Sequence, residues 1–97
     1  MLIRRADIDD LELIAPLFDA YRQFYLQPSD LQLARSFLLE RLSLNQSIIF
    51  IALDPYGSPI GFTQLYPSFS SASARPIYIL NDLFVAPGAR RRNFRSA

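Results

Sequence analysis

The chain has 97 residues, is 51% hydrophobic and 13% aromatic, and holds only 3 Gly, which is enough apolar material for one core and excludes a disordered chain or two domains. Its longest apolar run, the six residues from Ile48 to Leu53, falls far short of the ~20 of a membrane helix, and the absence of Cys and His excludes disulfides, Cys/His zinc sites and chemistry built on those side chains. The net charge of +1 hides an asymmetry: residues 1–74 carry five Arg against eight acids, and residues 75–97 carry five Arg against Asp82 alone.

Taken in chain order, Leu2 to Arg5 reads as a short opening strand. No long apolar stretch of a secretory leader is present there, which predicts a cytoplasmic protein. Asp7 followed by Asp10 is a capping pattern, and acids suit the positive end of a helix. Leu11, Ile14, Phe18, Tyr21 and Tyr25 then recur at helical spacing. Pro16 predicts a kink, or a helix that begins near it. Gln27-Pro28-Ser29 ends this helix, and Ser29 with Gln32 reads as a second capping box. Leu31, Ala34, Leu38 and Leu42 continue as an amphipathic helix to about Leu44.

Ser47 to Leu53 changes to a β-branched and aromatic pattern, that of a largely buried strand. Asp54 to Ser58 has turn chemistry. Pro59 to Tyr66 reads as its hairpin partner, with Ile60, Phe62, Gln64 and Tyr66 alternating with Gly61, Thr63 and Leu65. Pro67 to Arg75 is Ser-rich and predicts a flexible loop. Pro76 to Val85 is the last strand, and Ala86-Pro87-Gly88 stops it. The expected fold class is α+β, of order β-α-α-β-β-β, with two helices on a mostly antiparallel four-stranded sheet.

This order, together with Asn81-Asp82-Leu83-Phe84-Val85-Ala86-Pro87 and the following Arg90-Arg91-Arg92, resembles the GCN5-related N-acetyltransferases. In that family the fourth strand ends in V-x-P before a loop of the pattern R/Q-x-x-G-x-G/A. The loop cradles the pyrophosphate of acetyl-CoA at a helix N-terminus. The resemblance implies an incomplete acyl-CoA N-acyltransferase fold in residues 1–89. A basic tail, 90–97, stands at the position of the pyrophosphate loop. Asn93 and Arg95 occupy the loop's two Gly positions, where backbone must approach a phosphate closely. The family's later elements have no counterpart in these 97 residues, so the chain is expected to be an N-terminal portion with little activity of its own.

The resemblance implies transfer of acetyl from acetyl-CoA to the primary amine of a small acceptor, by direct attack. It assigns cofactor contacts to the backbone of Leu83, Phe84 and Val85, beside a bulge in the strand, and to Arg90, Arg91 and Arg92. An ordinary buried strand and a solvated basic tail are the alternatives. Asp82 is the candidate general base and Asn81 its neighbour in the site. Side chains alternate along a strand, so only one of the two is expected to face the slot. Asp82 could equally be a buried carboxylate satisfied by backbone amides or an Arg. Arg22 and Tyr25 fall on the acceptor side, although Tyr21, Phe24 and Tyr25 also read as core aromatics. No metal site is expected; Asp7, Asp9 and Asp10 lack the Gly and twelfth-position acid of a calcium loop.

Two further classes remain open. One is a non-catalytic module that pairs through its last strand, most simply as a homodimer through residues 77–85. The other is a small basic-tailed nucleic-acid binder, for which Phe94 is the single stacking residue in the tail.

Overall fold

The computed structural model, which describes residues 1–89, places the elements in the expected order: β1 (Leu2–Arg5), α1 (Leu11–Phe24), α2 (Leu31–Ser43), β2 (Ile48–Leu53), β3 (Pro59–Ser70) and β4 (Arg75–Val85). The strands form one sheet in sequence order, and every neighbouring pair is antiparallel. Rows of side chains therefore cross the whole sheet, as in Ile3–Ala52–Gly61–Val85.

β2 shows the alternation of a strand that separates two environments. Ile49, Ile51 and Leu53 are buried toward the helices, while Ile48, Phe50 and Ala52 are half-buried on the other face. The core lies between that inner face and the helices. It is built from Ile14, Ala15 and Phe18 of α1, Ala34 and Leu38 of α2, and Phe62 and Phe84 of the sheet. Fully burying one such large side chain contributes about 1.5–3 kcal/mol, so this layer fixes how the helices sit. The outer face, with Ile3, Phe50, Thr63, Leu83 and Val85, forms an open apolar trough.

The first helix is capped as the sequence suggests. Asp7 accepts from the Asp9 amide and Asp10 from the Asp7 amide, closing a capping box around a short 3₁₀ turn, Ile8–Asp10, that leads into α1. Arg4 reaches over from β1 and grips Asp10 with two bonds of 2.7 Å. α1 neither stops nor begins at Pro16. The proline sits on the exposed side of the helix, and burial of Ile14, Ala15, Leu17 and Phe18 holds the turns around it.

Four expectations are corrected. The cap of α2 is Asp30, whose side chain accepts from the Leu33 amide at 3.0 Å. Ser29 instead donates its hydroxyl to Asp19 at 2.7 Å, and the Asp30 amide also donates to Asp19. Asp19 thus latches the α1–α2 connection, a role that pulls Ser29 out of the cap. Leu31 is half exposed, so the apolar stripe of α2 begins at Ala34. The expected loop from Pro67 to Arg75 is mostly strand: Pro67 pairs with Tyr78, Phe69 with Pro76, and only Ser71–Ala74 turns. β2 reaches no further than Leu65 of β3, so Pro67 has no strand on that side to miss its N–H. Phe24 and Tyr25 are not core residues; each is 60% exposed at the end of α1.

Candidate active site

The β3–β4 ladder carries one irregularity. Gln64 pairs with Asp82 and Leu65 with Leu80, so Asn81 stands opposite no residue of β3. This is a β-bulge at the position where the sequence resemblance asks for one. Alternation alone would send the side chains of Asn81 and Asp82 to opposite faces. The burial of the pair follows that rule. Asn81 is exposed, Asp82 is 3% exposed, and the two touch, with Asn81 Nδ2 donating to Asp82 Oδ1 at 3.0 Å.

Asp82 points beneath the C-terminal half of α1. Gln64 Nε2 donates to its Oδ2 at 2.6 Å, and the Tyr21 phenol lies within the influence of the same carboxylate. The Thr63 hydroxyl donates to the Asp82 main-chain carbonyl at 2.8 Å and pins the bulge. The carboxylate is thus met by the side-chain amides of Gln64 and Asn81, not by the backbone amides or Arg of the alternative reading.

The surrounding tyrosines register that environment. Burial, and then the hydrogen bond and charge of Asp82, push the Tyr21 phenol well above its ordinary range. Burial and the Asp82 charge raise Tyr66 as well, with Arg41 and Gln64 opposing. Tyr21 packs edge-on against Phe62 and Phe84, with ring centroids 5.7 and 6.1 Å away, which holds the hydroxyl over Asp82. The exposed Tyr25 ring lies 5.0 Å from Tyr21, so an aromatic path leads from the surface to the carboxylate. Arg22, half-buried on the same helix end, presents a buried Nη1 with no hydrogen-bond partner among the described residues.

Of the other expected site residues, Leu83 is exposed on the outer face, Phe84 is buried in the core, and Val85 ends β4. Beside them, Gly61 lets the strands close up: a Cβ there would stand 2.8 Å from the Phe84 carbonyl oxygen. Arg90, Arg91 and Arg92 lie outside the described residues. Sequence reasoning singled out neither Gln64 nor Tyr66 as a site residue, and it took Tyr21 for a core aromatic. The signal for Gln64 was present, since it is the polar member of the alternating row Ile60, Phe62, Gln64, Tyr66 and sits with no exposure at all.

Two helices on a four-stranded antiparallel sheet, in the order β-α-α-β-β-β, form the fold that the sequence resemblance implies. No family model matches the chain. It is 58% identical over 92 residues to the uncharacterised N-acetyltransferase YhfO of Bacillus subtilis, and 35% identical over 97 residues to a "Probable acetyltransferase" of Haemophilus influenzae. These matches take in 95% and 100% of the chain but 61% and 66% of the relatives. A crystal structure of a probable acetyltransferase superposes with a TM-score of 0.88 at 47% identity, over 94% of the chain and 61% of that structure. The chain belongs to the GCN5-related N-acetyltransferase family, and it spans about three-fifths to two-thirds of the length of these relatives.

Proposed function

We propose that this chain supplies the acceptor side and the central strand of a site that transfers acetyl from acetyl-CoA to a small primary amine by direct attack. The observation that carries the reading is the bulge at Asn81, which brings a buried Asp82 carboxylate and an exposed amide together on β4. In this reading Asp82 takes the proton from the attacking amine, directly or through water, and Asn81 lies beside it. Arg22 and Tyr25 meet the acceptor at the end of α1. In the same reading acetyl-CoA lies along the backbone of Leu83, Phe84 and Val85, with its pyrophosphate met by Arg90, Arg91 and Arg92. A fold neighbour at 14% identity and TM-score 0.69, a predicted acetyltransferase of Clostridium acetobutylicum, was solved with acetyl-CoA. That supports the cofactor class by analogy of fold.

The 97 residues by themselves are expected to bind acetyl-CoA weakly, because the relatives carry a further third of chain. Calorimetry on the chain should therefore give no micromolar binding. The chain joined to the remaining length of the Bacillus subtilis relative should bind and turn over amine. Thiol release from acetyl-CoA can be followed with no contribution from these 97 residues, which hold no Cys. In that protein Asp82→Asn should cut turnover by about a hundredfold or more. Unchanged turnover would remove Asp82 from the chemistry.

A second reading is favoured by the exposure of β4, which lies at one edge of the described sheet with Leu80 and Leu83 58% and 68% exposed. Here residues 77–85 pair with a second copy of the chain. Sedimentation at high micromolar concentration should then give a dimer that Leu83→Lys dissociates, and a compact monomer would sink it.

A further inference from the structure

The Asp82 carboxylate has an inner and an outer side, held in different ways. On the inner side Gln64, with no exposure, donates to Oδ2 at 2.6 Å from the residue directly across the strand pair. No solvent reaches that bond to exchange with it. On the outer side Asn81, exposed and bulged out of the ladder, donates to Oδ1 at the longer distance of 3.0 Å. That bond lies where an incoming donor can replace it.

Gln64 is also placed at a cost. Its Oε1 is buried and has no hydrogen-bond partner among the described residues. A buried acceptor left unmade is destabilising, and an apolar side chain of the same size would avoid it. Turning the amide over would aim Oε1 at the carboxylate, a worse arrangement. A residue kept with one half of its amide bare is explained by what the other half does, which is to hold Oδ2.

We propose that Gln64 is the positioning residue of the acceptor site: it immobilises Oδ2 so that Oδ1, under the exchangeable Asn81 amide, receives an N–H of a protonated primary amine. The Asn81 amide keeps the place of the ammonium group and is displaced by it. This rests on the reading of Asp82 as the group that meets the acceptor. Tyr21 closes the third side of the carboxylate, so the ammonium group enters past Asn81 and Tyr25.

The test is a side-chain amide NMR titration of the full 97-residue chain with ethylammonium chloride, against sodium chloride at equal ionic strength. The Asn81 amide signal should move saturably with ethylammonium and not with sodium, while the Gln64 amide signal stays in place. Asp82→Asn should abolish the saturable movement. Gln64→Met, close in volume but without a donor, should weaken ethylammonium by about tenfold, the loss expected for one hydrogen bond to a charged group. The arms on the unaltered chain need no variant to fold. Movement of the Gln64 signal together with that of Asn81, or no saturable movement at either, overturns the proposal. A saturable Asn81 signal in a protein that never transfers acetyl would refute the enzymatic reading and leave the ammonium site standing. Acetyl transfer that depends on Asp82 with a silent Asn81 would do the reverse.

Discussion

Replacing Asp82 by Asn should be felt first at Tyr21, and the size of the effect follows from the contacts. Burial is the largest cause of the raised Tyr21 phenol, followed by its hydrogen bond to Asp82 and the Asp82 charge. A hydrogen bond to a charged group is worth about 1.5–3 kcal/mol. At about 1.4 kcal/mol per pH unit, losing it and the charge should bring Tyr21 down by about one to two units. It should remain above the ordinary phenol value of about 10, because the burial is untouched. The sign for stability follows. The native state holds the Tyr21 proton more tightly than the unfolded chain, so its contribution is whole below pH ~10 and is lost as pH rises toward the folded value, by at most about 1.4 kcal/mol per pH unit. Asp82→Asn should narrow that alkaline window. The assay is a tyrosine titration followed by ring-carbon NMR, which separates the five tyrosines, with urea unfolding at each pH. Tyr21 unmoved by Asp82→Asn would refute the coupling between the phenol and the carboxylate.

Three further outcomes are expected. The carboxyls of Asp10, held chiefly by Arg4, and Asp19, held chiefly by Ser29, lie below the ordinary carboxylate range. Their contribution should be present above pH ~4 and vanish as pH falls through the folded values, so Asp10→Asn and Asp19→Asn should each flatten the acid side of a urea stability profile. Gly61→Ala places a methyl 2.8 Å from a main-chain oxygen of β4 and should cost about 1–3 kcal/mol, read as a lower urea midpoint at constant slope. Asp30→Ala should cost about 1 kcal/mol by removing the cap of α2, whereas Ser29→Ala should leave that cap intact and be seen instead at Asp19.

The architecture was legible because local and global signals agree over most of the chain. β2 alternates cleanly, α1 carries a stripe from Leu11 to Phe18 that is buried throughout, and the capping pair Asp7 and Asp10 sits where the helix starts. The misreadings share a physical cause, which is tertiary contact overriding a local preference. Ser29 is a good cap in isolation but is engaged by Asp19, ten residues earlier in the chain. The Ser-rich stretch after Pro67 has loop composition, yet β4 supplies a partner for each residue from Pro67 to Ser70. Phe24 and Tyr25 continue the apolar character of α1 past the last turn that faces the sheet, which leaves them at the surface.

The active-site geometry was half legible, and the missing half turns on one residue. Spacing along β4 names Asn81 and Asp82, and strict alternation then forces a choice between them. The residue without a partner lets the two stay in contact while one is exposed and the other buried. The bulge puts the exposed amide of Asn81 against the buried carboxylate of Asp82, and it brings Asp82 into register with Gln64. No local feature of Leu80 to Val85 requires that extra residue. It is set by where two registers on β3 must both be satisfied: Phe62 against Phe84 in the core, and Tyr66 against Ile79 in the long hairpin arm. Between those pairs β3 has three residues and β4 has four, and Asn81 is the remainder. A polar pair with one member inside and one outside is thus a consequence of strand lengths, and a one-residue deletion at Asn81 should restore a regular ladder and separate Asp82 from every amide at the surface.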